Sequence, residues 1–182
     1  MPEEINAVGA VVPVAEAKRR RGAFVRFAER ALSRRLSVTL CFTVAMFLLV
    51  FAGCCFAALN GDLARLIVCR PGASFCICCL LFVQTAAFIF GFTVFGRVVS
   101  AAASALVFVY AGCAVYTSVC IYERILVCCA AFLYALSAAN SFFYSANAFA
   151  GSARLFDRKL LQEYLALHFF SFFANLIIYF II

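Results

Sequence analysis

SVTLCFTVAMFLLVFAGCCFAAL, residues 37–59, contains no charged side chain in 23 positions. As a helix rising 1.5 Å per residue it is about 35 Å long, enough to cross a hydrocarbon core about 30 Å thick with a slight tilt. It reads as a membrane span. A block of cations precedes it and further uncharged stretches follow, so its orientation fixes how the whole chain is threaded.

Composition agrees with that reading. The chain of 182 residues is 68% hydrophobic and 13% charged, far from the roughly 45–50% apolar and 25% charged of a soluble domain. Phe is the dominant aromatic, 23 residues against 7 Tyr and no Trp, which leaves the interfacial belt dependent on Tyr. The net charge of +7 would suit nucleic acid, but 8 of the 15 Lys and Arg lie in the first 35 residues, beside the first span. That placement reads as a topology signal and a contact with anionic lipid, and no nucleic-acid partner is expected.

Taken in order, residues 1–14 form a short amino-terminal tail expected to be poorly ordered. From residue 15 to 36, cations alternate with Phe24, Phe27, Ala28, Ala31 and Leu36 at helical spacing. The pattern predicts a basic amphipathic helix on the cytoplasmic leaflet, with Lys18, Arg19, Arg20, Arg21, Arg26 and Arg30 touching lipid, or a solvated tail that only orients the first span. A cleavable signal peptide is disfavoured, because the apolar run exceeds the roughly 7–15 residues of such a segment. Residues 37–182 then form the membrane domain, with spans predicted over about 37–59, 75–96, 98–121, 125–148 and 164–182. Arg97 and the pair Glu123-Arg124 mark two very short turns, so consecutive spans there form antiparallel hairpins. No internal repeat suggests a transporter built from inverted halves.

The fold class that follows is an all-α integral membrane protein, a bundle of five transmembrane helices preceded by a basic amphipathic helix. With the amino terminus inside, 12 of the 15 Lys and Arg fall on the cytoplasmic side and Arg65, Arg70 and Arg124 on the other. That bias predicts a multi-pass plasma-membrane protein with a cytoplasmic amino terminus and an outer carboxyl terminus.

No span interior contains Asp, Glu, Lys or Arg. Ion-coupled transporters and voltage sensors place such groups at mid-membrane, so that class is disfavoured, while a passive pore lined by hydroxyls and amides stays open. His168 is the only histidine, which removes two-histidine metal or proton-transfer sites. It belongs to a row in the last span, Tyr164, His168, Ser171, Asn175 and Tyr179, that shares one helix face. The fourth span offers Ser137, Ser141 and Ser145 at intervals of four, with Asn140, Tyr144 and Asn147 beside them. These two faces are expected to pack on each other through hydrogen bonds worth on average about 0.6 kcal/mol each; a polar lining is the competing reading. Ser100 with Ser104, and Ala101 with Ala105, are further small-residue pairs for close packing.

Nine of the 11 cysteines cluster at the predicted outer side. A redox or metal cluster there, with Cys76-x-x-Cys79 as its best local pair, competes with a plain packing role. Packing is preferred, because most of these thiols belong to long apolar runs and not to ligand-presenting loops. No phosphate-binding loop, nucleophile elbow or polar carboxylate pair is present, so no enzymatic activity, cofactor or metal is expected.

Four features together resemble the stage II sporulation protein M family, small five-helix membrane proteins. They are the basic amino terminus with a span reaching Ala52-Gly53-Cys54; Phe90-Gly91-Phe92-Thr93-Val94-Phe95-Gly96 leading into a small-residue span; the polar segment Ser152-Ala153-Arg154-Leu155-Phe156; and Asp157 to Tyr164 leading into the last span. The resemblance implies a non-enzymatic scaffold that positions peptidoglycan-remodelling partners, such as wall hydrolases, during forespore engulfment, binding them through span faces and the loop Asn60 to Ser74. The alternative is a membrane transport component, either a passive pore or the membrane subunit of an ATP-driven importer whose ATPase docks on residues 152–163.

Overall fold

The computed structural model describes residues 14–62, 64, 73–149 and 158–182, with side chains described from Arg34 onward. Every regular element among them is an α-helix: α1 (Val14–Leu59), α2 (Ala73–Gly91), α3 (Gly96–Thr117), α4 (Ile121–Ala148) and α5 (Arg158–Ile181). Among the described residues, five helical stretches are long and apolar enough to cross a membrane, the first being Arg34–Leu59 within α1. The chain divides into two units between Leu36 and Ser37, where the sequence turns from cationic to apolar. In the amino-terminal unit the backbone from Val14 is helical. The side chains of Lys18, Arg19, Arg20, Arg21, Arg26 and Arg30 lie outside the described residues, as do residues 1–13, 65–72 and 150–157.

Within the unit Ser37–Ile182, α4 is the central helix, packed against α2, α3 and α5. Its buried positions are largely Ala and Ser, among them Ala130, Ala131, Ser137, Ala138 and Ser141. Small side chains let neighbouring backbones come close, which in a hydrocarbon solvent replaces the hydrophobic effect as the source of helix association. Larger side chains fill the remaining space: Phe108 meets Tyr134 edge-on with ring centroids 5.8 Å apart, and Ile77 and Leu80 are buried beside them. Polar side chains share this interior with the apolar ones. Gln84, Ser137, Ser141, Ser145 and Asn175 are fully buried, while Phe82, Leu106 and Phe180 are about three-quarters exposed. Large apolar groups on the outside and amides within is the arrangement a bilayer selects.

The turns fall earlier than the charges suggest. The second hairpin turn is Phe92–Phe95, closed by tight three-residue bonds from Thr93 N to Phe90 O and from Gly96 N to Thr93 O, while the Thr93 hydroxyl also donates to Phe90 O at 2.7 Å. Arg97 is therefore inside α3, where its guanidinium donates to Ala146 O at 2.8 Å. The next turn is Ser118–Cys120, with Glu123 and Arg124 already in the first turn of α4. Arg124 folds back to donate through two nitrogens to Ser118 O, at 3.0 and 2.9 Å. In both places an arginine satisfies a carbonyl at a neighbouring helix's carboxyl end, where partial negative charge collects. The last helix also begins earlier than expected, at Arg158 instead of Tyr164.

Candidate functional site

Most of the buried polar side chains described between Ser37 and Ile182 converge on one seam where α2, α4 and α5 meet. On α5 the residues Tyr164, His168, Ser171 and Asn175 are all buried, because their spacing of four, three and four keeps them on one face. Facing them on α4 are Ser137, Asn140 and Ser141. The Ser137 hydroxyl lies 2.8 Å from His168 Nδ1, and Asn140 Nδ2 donates to Tyr164 O at 3.1 Å. Ser141 Oγ is 3.2 Å from the Tyr164 hydroxyl, which itself donates to Phe88 O at 2.8 Å. A phenol has one proton, so Ser141 is the donor in its bond to Tyr164.

A third helix completes the network. Gln84 of α2 donates through Nε2 to Ser171 Oγ at 2.8 Å and accepts through Oε1 from Asn175 Nδ2 at 3.0 Å. Ser171 in turn donates to His168 O at 3.0 Å. Asn175 Oδ1 is buried without a hydrogen-bond partner. Aromatic stacking runs alongside: Tyr144 lies on Tyr164 at 4.3 Å and 16°, Tyr164 on Phe88 at 5.3 Å and 13°, and Phe88 on His168 at 4.3 Å and 26°. Phe92 meets Tyr144 and Tyr164 edge-on, both at 5.4 Å. Offset stacked and edge-on pairs of this kind contribute roughly 0.5–1.5 kcal/mol each beyond their buried area.

Gly91, at the end of α2, makes the approach possible. A side chain there would run into the Tyr164 hydroxyl and come within 3.6 Å of Ser141 Cβ. Gly96 does the same one turn on, where an added carbon would lie 2.9 Å from Ser145.

Two residues of the predicted rows sit elsewhere. Tyr179 is 37% exposed, whereas its neighbour Ile178 packs against the core. Ser145 is buried but donates to Thr93 O at 2.9 Å, serving the α2–α3 turn and not α5. Gln84, Phe88 and Gly91 were not among the predicted site residues. The available signals were that Gln84 is the lone amide of an apolar stretch and that Gly91 stands between two aromatics in Phe90-Gly91-Phe92.

The ten described cysteines are free thiols, and among the described residues no group of three or more His, Cys, Asp or Glu is placed to hold a metal ion. Cys69 lies outside the described residues. Cys54 and Cys113 donate to backbone carbonyls across the α1–α3 contact, which is a packing role. Chemically the seam can hold three helices in one register and reject slippage, since every shift would strand buried amides and hydroxyls. No protein-family model, no curated protein and no solved structure matches the chain.

Proposed function

We propose that the protein is a non-enzymatic membrane scaffold that holds partner membrane proteins against the outer faces of its five helices. The observation that carries this reading is the filled seam: Gln84, Ser137, Ser141 and Asn175 are fully buried and spend their polar atoms mainly on one another. A pore built from these groups would keep them wet and facing a lumen; here they serve helix packing. Much of what the helices turn outward is apolar, including grooves of about 420 Å³ and 240 Å³ lined by residues such as Phe47, Phe132 and Leu133, or Leu49, Ala101 and Ala105. The resemblance to the stage II sporulation protein M family supports a finer version, in which the partners are peptidoglycan-remodelling enzymes of an engulfment complex.

The test is in-membrane crosslinking of the full chain in its native cells, followed by purification and identification of what is attached. Stoichiometric recovery of a wall hydrolase or its membrane adaptor supports the scaffold. Stoichiometric recovery of a cytoplasmic ATPase, or solute flux through proteoliposomes containing the pure protein, overturns it.

A further inference from the structure

Val50-Phe51-Ala52-Gly53-Cys54 in α1 recurs 59 positions later as Val109-Tyr110-Ala111-Gly112-Cys113 in α3, with four of five residues identical and a tyrosine for a phenylalanine at the other. The structure brings these two copies together through equivalent atoms. A side chain on Gly53 would strike Val109 O and come within 3.0 Å of Gly112 Cα; one on Gly112 would strike Val50 O and come within 2.9 Å of Gly53 Cα. Cys54 Sγ donates to Gly112 O at 3.2 Å, and Cys113 Sγ donates to Gly53 O at 3.5 Å. Each contact has its counterpart with the two helices exchanged, which is the mark of a self-complementary interface about a local two-fold axis.

Direction and register agree. Phe42 meets Phe142, while Met46 and Val50 share a groove with Cys128 to Leu133, so α1 runs antiparallel to α4. A three-residue turn makes α3 antiparallel to α4 as well, and α1 and α3 are therefore parallel. One groove between them is lined by Phe42, Ala45 and Leu49 on α1 and by Ala101, Ser104 and Phe108 on α3, again 59 positions apart.

The helices that follow repeat too. Ile77-Cys78-Cys79-Leu80-Leu81-Phe82-Val83 in α2 corresponds to Val127-Cys128-Cys129-Ala130-Ala131-Phe132-Leu133 in α4, 50 positions later. Burial follows the same correspondence: Ile77 with Val127, Leu80 with Ala130 and Gln84 with Tyr134 are buried, whereas Cys78 with Cys128 and Phe82 with Phe132 are exposed. Gly91 and Ser141, also 50 positions apart, meet where α2 packs on α4. The change of spacing falls in the connections, residues 60–72 in one pair against Ser118–Cys120 in the other.

We infer that α1–α2 and α3–α4 are two copies of one helix-pair unit, and that the valine–glycine–cysteine face of its first helix is an interaction surface whose partner is a second copy of the same unit. The chemistry of that face is specific. Glycine lets the two backbones touch, and the thiol one position on supplies a weak donor to the carbonyl that the close approach presents. Helix α5 has no counterpart in the repeat and covers the seam between α2 and α4.

The test exchanges segments in the full chain. Residues 48–57 are replaced by the sequence of 107–116 and the reverse, and a control carries nearly the same composition displaced by one residue (48–57 by 108–117, 107–116 by 49–58). Thermal unfolding in detergent is expected to shift by no more than about 3 °C for the in-register exchange and by more than about 10 °C for the displaced one. Among exchanged chains that fold, equal loss in both, or equal tolerance of both, overturns the inference. Should the exchanged chains not fold, Gly53→Ala and Gly112→Ala give the milder readout: losses within a factor of about two of each other support equivalence, and losses differing by more than about fivefold overturn it.

Discussion

Gln84 connects α2 to α5 through both ends of one amide, and its removal is the sharpest probe of the seam. Gln84→Leu strands Asn175 Nδ2 and leaves the Ser171 hydroxyl without its donor, an expected loss of about 1–3 kcal/mol. Adding Asn175→Leu removes the orphaned amide as well, so the double variant is expected to recover about half of that loss, because deleting both partners is milder than deleting one. Urea unfolding in mixed micelles checks both, and a double variant weaker than the summed singles would contradict the network. At Tyr164, hydroxyl and ring separate cleanly. Tyr164→Phe keeps the stack on Tyr144 and Phe88 and gives up two hydrogen bonds, an expected loss of about 1 kcal/mol. Tyr164→Ala also empties the space beneath Gly91 and is expected to lose about 3–5 kcal/mol. The α5 and α4 rows could be read from spacing alone, since steps of three and four define a helix face. Gln84 could not be placed, because one amide in an apolar run has no periodicity to show which face is buried.

Among elements, the α3–α4 hairpin is clamped by an arginine that caps the last carbonyl of the preceding helix. Arg124→Gln is expected to lower stability by about 1 kcal/mol and to loosen the Ser118–Cys120 turn, seen as faster hydrogen exchange at the start of α4; unchanged exchange would count against the clamp. Helix existence and order were legible from the uncharged runs. Helix ends were not: the charged residues look like loop residues in sequence, yet Arg97, Glu123 and Arg124 belong to first turns, where Arg124 reaches back across its turn to Ser118 O and Arg97 reaches over to Ala146 O at the end of α4. The α1–α3 crossing was equally hidden. Its repeat spans five residues, and its meaning lies in two glycine backbones that touch, which no local pattern reports. The thiols sort by element in the same way. Cys120, exposed in the turn before α4, is expected to react first with a water-soluble maleimide. Cys76 and Cys113, both buried, should react only on unfolding, and early modification of either would contradict their packing role.

At the scale of the whole molecule, the described residues from Ser37 onward bury a network of amides and hydroxyls between α2, α4 and α5 and turn many large apolar side chains outward, among them Phe82, Leu106 and Phe180. Five helices capable of crossing, with cations gathered before the first and around the inner turns, predict a cytoplasmic amino terminus and a carboxyl terminus on the opposite face. The scaffold reading depends on that threading, because it decides which turns and helix ends a partner in the wall or in the cytosol can reach. Paired reporter fusions at the two chain ends, one active only in the cytosol and one only outside it, measure the threading directly. The account predicts cytosolic activity at residue 1 and outer activity after residue 182; activity of both ends on the same face would contradict it.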